Sequence, residues 1–155
     1  MSMSAGAAAG RTAAGLSGES IIREIKASGI EFVISVPDIT TSEGLLRPLA
    51  KLTDPRLIRI CKEDEGVAIC AGLSYTGKRG LLLIQQTGLL EKEVGVMPRE
   101  SKRYGVRIVE PILDAMGIGY HNIEEQSDVA KIRPAIDGAY KDSKPTVILL
   151  GQRPS

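Results

Sequence analysis

The chain has 155 residues, of which 43% are hydrophobic and 25% charged, ordinary proportions for one globular domain. Its formal net charge of +1 gives no global attraction to nucleic acid or to an anionic membrane surface. No apolar stretch approaches the roughly 18 residues needed to span a bilayer, and one Phe with no Trp predicts an aliphatic core.

The N-terminal residues 1–16, MSMSAGAAAGRTAAGL, are rich in Ala, Gly and Ser and lack the large aliphatic residues of a secretory signal. We predict a disordered tail over 1–16, a globular domain over 17–152 and a cytoplasmic location. Arg11 and the lack of acids leave a transit peptide as the weaker alternative.

The domain begins with a helix and a strand. SGESIIREIKASG carries three isoleucines on one side, with Ser17 or Ser20 available to cap its start and Gly29 to end it. EFVISVP is a short β-branched run that Pro37 closes, which predicts a buried strand.

The next segments repeat this alternation. Thr40 and Glu43 have capping-box spacing and predict a helix to about Leu52, in which Pro48 predicts a kink or a late start. RLIRIC is predicted as a strand, EDEGVAICAGLSYTG as a helix ended by Gly77, and GLLLIQQ as a third strand.

The second half contains two more helices and two more strands. RIVEPILDAMG and the segment 128–141 are predicted as helices, and IGYHNI and PTVILLG as strands. Strands that are solid apolar runs and alternate with helices indicate a mostly parallel sheet covered on both faces. The predicted fold is therefore a three-layer α/β domain with right-handed crossovers.

Residues 87–105 fit no element, which is unusual inside a compact domain. The stretch and its border are basic, and the two interpretations are a solvated loop or a segment that binds an anion or a partner. The basic residues concerned are Arg99, Lys102, Arg103 and Arg107.

Cysteine and histidine are too scarce for a metal centre, so no metal ligand is predicted in this chain. Cys61, Cys70 and His121 cannot supply the four ligands of a structural zinc site. One disulfide bond between the two cysteines is formally possible, but a reduced chain is favoured, because small secreted domains normally contain several disulfide bonds. His121 is expected at the surface or at a strand end.

Three consecutive acids, Glu63, Asp64 and Glu65, open the predicted helix EDEGVAICAGLSYTG. These acids could interact favourably with the helix dipole, they could bind a metal ion, or one of them could be a buried functional carboxylate. The helix behind them is apolar on nearly every side, and Gly66 and Gly72 permit close approach. Such a helix is expected to pack against a second subunit.

GIEFVISVPD followed by RICKEDEGVAICAGLSYTGKRGLLLIQQTGL resembles the pyrimidine-binding domain of thiamine diphosphate-dependent decarboxylases. The likeness is to the alpha subunit of sulfopyruvate decarboxylase and the related part of phosphonopyruvate decarboxylase. The family pattern is a strand, an acid, a helix of small apolar residues, Gly-Lys, and a strand ending in Gln-Asn-Ser-Gly. The resemblance covers residues 18–90 well and 106–151 more loosely.

The resemblance implies a role for particular residues. The glutamate that activates the cofactor falls on Glu63, nine positions before Gly72, while Asp64 and Glu65 keep the dipole role. The aminopyrimidine N1′ would be hydrogen-bonded by the Glu63 carboxyl, and a 2-oxo acid would lose carbon dioxide to give an aldehyde. The residues carried over to cofactor binding are Pro37, Asp38, Glu63, Gln86, Thr87 and Gly88.

The sequence departs from the family pattern twice. It has no Gly-Asp-Gly motif, so the resemblance implies that a beta subunit holds Mg²⁺ and the diphosphate and that the chain acts in a hetero-oligomer. After Leu90 the chain lacks about one strand–helix unit, on the order of 25–30 residues. A sheet without a central strand would have unpaired backbone groups and a gap in its core.

Two main functions remain open. The first is the pyrimidine-binding subunit of a lyase that decarboxylates a small anionic 2-oxo acid such as sulfopyruvate or phosphonopyruvate and is active only with its partner. The second is a non-catalytic or truncated regulatory subunit that keeps the alpha-subunit interface. A generic nucleotide-binding domain is disfavoured, because no strand is followed by Gly-x-Gly-x-x-Gly or a phosphate loop.

Overall fold

A computed structural model describes residues 15–38, 41–84 and 104–155, with only the backbone given for 104–106. The first part contains helix α1 Gly18–Ala27, strand β1 Phe32–Ser35, a π-helix Ser42–Leu46, helix α2 Arg47–Leu49, strand β2 Arg56–Arg59, helix α3 Glu63–Tyr75 and strand β3 Gly80–Leu83. The second part contains helix α4 Tyr104–Met116, strand β4 Gly119–Ile123, a 3₁₀ helix Gln126–Lys131, helix α5 Ile132–Asp142 and strand β5 Thr146–Leu150. The predicted order of helices and strands is confirmed within these residues.

The predicted cap and stop signals of the first helix are confirmed. Ser17 is the N-cap of α1, and its hydroxyl oxygen accepts a hydrogen bond from the Ser20 amide at 3.3 Å. Gly29 follows the helix with a φ of +70°, a left-handed conformation in which glycine has no steric penalty. Gly77 ends α3 in the same way, with a φ of +75°.

The helix around Pro48 is irregular, as its proline predicted. It begins as the π-helix and becomes α-helical only at Arg47, so the change falls beside the residue that has no amide hydrogen. Thr40 lies outside the described residues, so the predicted capping box of Thr40 and Glu43 stays a prediction. Glu43 instead pairs with Arg47 one turn later, at 2.9 Å.

All the described strand pairs are parallel. β1 lies between β2 and β3, and Phe32 is in register with both Arg56 and Gly80. β4 and β5 form a second, two-stranded sheet in which Gly119 is in register with Thr146. Because parallel strands end at the same edge of a sheet, the residues that follow β1, β2 and β3 share one edge.

The three-stranded sheet has helices on both faces, which confirms the three-layer α/β class. Val33 and Ile34 are adjacent in β1 and point to opposite faces, yet both are fully buried. Val33 joins the core formed with α1 and α5. Ile34 lies on the α3 side, where a Cβ atom at Gly80 would lie 3.5 Å from its Cδ1 and 2.9 Å from Cδ1 of Leu73.

At the first residue of β3, the backbone groups that face away from β1 are hydrogen-bonded by a side chain. The Arg79 carbonyl accepts a hydrogen bond from Phe32 of β1, so the N–H and C=O of Gly80 face the other way. The Tyr140 hydroxyl of α5 accepts from the Gly80 N–H and donates to its C=O, both at 2.7 Å. Within the described residues no strand pairs with this edge, so the two sheets are not joined.

Replacing Tyr140 by phenylalanine tests how much this contact stabilises the domain. The N–H and C=O of Gly80, both half-buried, would lose their hydrogen-bond partner. The hydroxyl that they would lose is itself half-buried, and this burial raises the pKa of the Tyr140 phenol. We expect Tyr140→Phe to lower the free energy of unfolding by about 1–3 kcal/mol in a urea titration. Tyr75→Phe is the matched control, because the Tyr75 side chain is 95% exposed, and an equal loss in both variants would contradict this role.

In the described parts of the chain, no helix combines the length and the apolar character that crossing a bilayer requires.

Candidate functional site

The predicted site residues lie where the parallel strands end. Pro37 and Asp38 follow β1 directly, and Glu63 follows β2 after the turn at Cys61 and Lys62. The structure therefore brings these predicted residues to one edge of the sheet, the usual position of ligand sites in open α/β sheets. Gln86, Thr87 and Gly88 lie outside the described residues.

The three acids at the start of α3 make different contacts. Glu65 Oε2 accepts hydrogen bonds from the amides of Cys61 at 3.2 Å and Lys62 at 3.3 Å, the contact that an N3 acid makes with the N-cap amide in a capping box. Asp64 Oδ1 accepts from the Glu65 amide at 3.0 Å. Glu63 has no hydrogen-bond partner among the described residues, so its carboxylate is available to an outside group.

Helix α3 has one stripe of residues that packs against the sheet and another, called here the open stripe, that is exposed. Gly66 is buried, and Ile69, Cys70 and Leu73 continue its stripe half-buried, at the spacing of one helix face. Glu63 is three positions before Gly66, so it extends the same stripe past the ends of the strands. This arrangement places the free carboxylate at the margin between the helix and the sheet edge.

The opposite stripe of α3 is apolar and faces outward. The side chain of Val67 is 62% exposed and that of Tyr75 is 95% exposed, and both Ala68 and Ala71 are exposed as well. Glu63 itself is exposed in the single chain. The described residues therefore do not provide the burial of Glu63 that its implied role requires.

The loop after β1 is held by its aspartate. Asp38 Oδ1 accepts a hydrogen bond from the Thr41 amide at 2.7 Å, and Asp38 Oδ2 accepts from the Thr41 hydroxyl. Asp38 is half-buried and Pro37 is exposed. The Asp38 carboxylate thus fixes the chain where it enters the π-helix, a contact that the sequence pattern did not reveal.

The other candidate side chains lie apart from Glu63 or offer no ligand cluster. Cys61 and Cys70 are free thiols, and burial raises the pKa of Cys70. His121 is exposed on β4, in agreement with its predicted surface position. Among the described residues, no group of three or more His, Cys, Asp or Glu side chains could hold a metal ion.

Most of the basic segment 99–107 lies outside the described residues. Arg99, Lys102 and Arg103 lie outside the described residues, and Arg107 is exposed in the first turns of α4. Whether this segment is a solvated loop or an anion site therefore stays a prediction.

Sequence reasoning missed two residues that shape the site. Glu65 was expected to act on the helix dipole, whereas its carboxylate caps the turn before Glu63. Gly66 was expected to permit helix approach, and it does so toward strands β2 and β3 of its own chain. The capping-box-like distance between Lys62 and Glu65 was a signal for the first of these.

Comparison with known proteins shows similarity to sulfopyruvate decarboxylases. The chain is 32% identical over 119 residues, 76% of its length, to a sulfopyruvate decarboxylase of Methanosarcina acetivorans. It is 34% identical over 71 residues, 46% of its length, to a sulfopyruvate decarboxylase subunit alpha of Methanococcus maripaludis. No protein-family model matches the chain.

These alignments cover 29% of the first relative and 42% of the second. The chain therefore spans less than half the length of either curated relative. The similarity supports an origin in common with sulfopyruvate decarboxylases.

Proposed function

We propose that the chain is the pyrimidine-binding subunit of a thiamine diphosphate-dependent decarboxylase that acts on a small anionic 2-oxo acid. The observation that carries this proposal is the free carboxylate of Glu63 at the carboxyl edge of the parallel sheet. It stands in the stretch that resembles the family, and the similar proteins are named sulfopyruvate decarboxylases.

The donor set of the described residues fits the pyrimidine half of this cofactor. A ring nitrogen needs one carboxyl that can share a proton, and Glu63 is the acid of its cluster with no described hydrogen-bond partner. Asp64 Oδ1 and Glu65 Oε2 each accept hydrogen bonds from backbone amides at the start of α3. Thiamine diphosphate, when bound, supplies the electron sink for loss of carbon dioxide from a 2-oxo acid.

The chain's own contribution is to hold the proton and to exclude water. A second chain packed over Glu63 would exclude water from its carboxyl, so that the carboxyl could share a proton with the ring nitrogen. Val67, which lies one helical turn after Glu63 and is 62% exposed, would supply part of an apolar surround for the carboxyl. The loop held by Asp38 lies at the same edge, on the side where substrate is expected to enter.

The diphosphate half of the cofactor requires a partner. The described residues contain no acidic cluster that could hold Mg²⁺, and the sequence contains no Gly-Asp-Gly motif. One of the two similar proteins is named as a subunit alpha. We therefore assign Mg²⁺ and the diphosphate to a beta-type chain that packs on the open stripe of α3.

The substrate proposal is a 2-oxo acid that carries a second anionic group, such as a sulfonate or a phosphonate. Both similar proteins are named for sulfopyruvate. Arg107 and the three basic residues before it in the sequence are candidates for contact with that second anion.

The test is a decarboxylation assay with the chain reconstituted with a beta-type partner that carries Gly-Asp-Gly. We expect carbon dioxide release from sulfopyruvate or phosphonopyruvate, little from pyruvate, and calorimetric binding of thiamine diphosphate to the pair but to neither chain alone. Cofactor binding by the isolated chain, or no turnover of any of the three acids by the pair, would contradict the proposal.

The second candidate is a subunit that kept the interface and lost turnover. It is favoured by one observation: between β3 and β4 the sequence departs from the family pattern by about one strand–helix unit, and the described strands on either side form two separate sheets. For this candidate, the pair would form and bind thiamine diphosphate without releasing carbon dioxide from any of the three acids.

A further inference from the structure

Helix α3 approaches the sheet most closely at Gly66. This is the buried residue of the helix, and its neighbours on the same stripe are only half-buried. A Cβ atom at Gly66 would overlap Cδ1 of Leu82 and would lie 2.9 Å from Cδ1 of Ile60 and 3.3 Å from Cδ2 of Leu82. The terminal methyl groups of Leu82, in β3, and of Ile60, the residue after β2, thus occupy the space that a side chain at Gly66 would need.

Glu63 and Gly66 are separated by less than one helical turn. Three residues of α-helix correspond to about 4.5 Å along the axis, and positions i and i+3 lie on the same face. A change in the height of α3 at Gly66 would therefore move Glu63 by a similar amount. No other described glycine of α3 has this effect, because a Cβ at Gly72 would meet nothing within 4 Å.

We propose that Gly66 is a positioning residue for Glu63: the missing side chain sets the height of α3 above β2 and β3 and thereby the position of the Glu63 carboxylate. This inference rests on the proposed function. It concerns the contact of Gly66 with Leu82 and Ile60, and Gly66 itself touches neither cofactor nor substrate.

The test is a double-mutant cycle in the reconstituted pair. Gly66→Ala adds one methyl group against Leu82, and we expect a fall in kcat of about 100-fold, the cost of a displacement of the order of 1 Å. Leu82→Val removes both Cδ atoms, so the double variant Gly66→Ala/Leu82→Val should recover at least tenfold of that loss. Leu82→Val alone should stay within about threefold of the wild type.

Two further measurements separate positioning from general destabilisation. Calorimetric affinity of the pair for thiamine diphosphate should fall in Gly66→Ala and recover in the double variant, without any turnover being needed. Gly138→Ala, in the interior of α5 with nothing within 4 Å of the added atom, is the matched control and should change neither quantity. Circular dichroism and urea titration give the folded fraction to which each value is normalised.

The possible results have distinct meanings. If Gly66→Ala keeps wild-type kcat and cofactor affinity per folded pair, Leu82 and Ile60 have rotated aside and the positioning role is wrong, while the proposed function stands. If Gly66→Ala loses both and Leu82→Val restores neither, the contact with Leu82 is not the cause and the inference is overturned. A wild-type pair that neither binds the cofactor nor turns over refutes the proposed function first, and this inference with it.

Discussion

Substituting Glu63 by glutamine should reduce turnover of the reconstituted pair by about 100- to 10,000-fold, the contribution typical of a positioned acid–base group. Glutamine keeps the size and hydrogen-bonding shape of glutamate but cannot share a proton with a ring nitrogen. Because Glu63 is exposed and has no hydrogen-bond partner among the described residues, its replacement removes no described hydrogen bond. Stability should stay within about 0.5 kcal/mol of the wild type.

The measurement is kcat for carbon dioxide release, with circular dichroism and partner affinity determined on the same samples. Asp64→Asn is the matched control: it removes an equal charge one residue away, while its Oδ1 can still accept from the Glu65 amide. We expect the control to keep wild-type kcat. Glu63→Gln with turnover within a factor of two of the wild type would exclude Glu63 from the role.

The order of helices and strands could be predicted from the sequence because local signals agree with the fold. Ser17 and Gly29 bound α1 by capping and by a positive φ, and both effects act within a few residues. Val33 and Ile34 are adjacent and both apolar, a pattern that predicts a strand buried on both faces, and both residues are fully buried. Such short-range features can be read from a single sequence.

The contacts that position the site could not be predicted, because they join distant parts of the chain or depend on exact geometry. Tyr140 meets Gly80 across sixty positions, and nothing in either local sequence marks the pair. Gly66 could be singled out as small, but only the structure shows that Leu82 and Ile60 fill the space beside it. The hydrogen bonds of Asp38 to Thr41 likewise depend on a loop conformation that composition does not specify.

The edge of β3 shows what the family pattern and the structure each contribute. Comparison with the family pattern predicts a missing strand–helix unit after Leu90, and this stays a prediction because residues 85–103 lie outside the described residues. Tyr140 satisfies the first outward-facing backbone groups of β3 with its hydroxyl, where a neighbouring strand would have used its own backbone. At the start of β3, one side chain thus makes the hydrogen bonds that a strand would otherwise make.

The open stripe of α3 yields the second large prediction. Val67 is 62% exposed on a helix face that also carries exposed Ala68, Ala71 and Tyr75, the composition expected where a partner packs. Val67→Lys would remove about 1.5–3 kcal/mol of hydrophobic burial from the complex and would place an unpaired ammonium in the contact. We expect the affinity for the beta-type chain to fall at least 100-fold.

Met116→Lys is the matched control for this prediction, because Met116 is 65% exposed and belongs to a different helix, α4. Both substitutions add one positive charge to an exposed apolar position, so nonspecific effects on solubility and net charge are equal. Isothermal titration of each variant with the beta-type chain gives the two dissociation constants, and urea titration of the single chains should show less than about 0.5 kcal/mol of change. If both variants bind the partner as the wild type does, the partner packs on another surface, and Glu63 must then be buried by something other than the neighbour of α3.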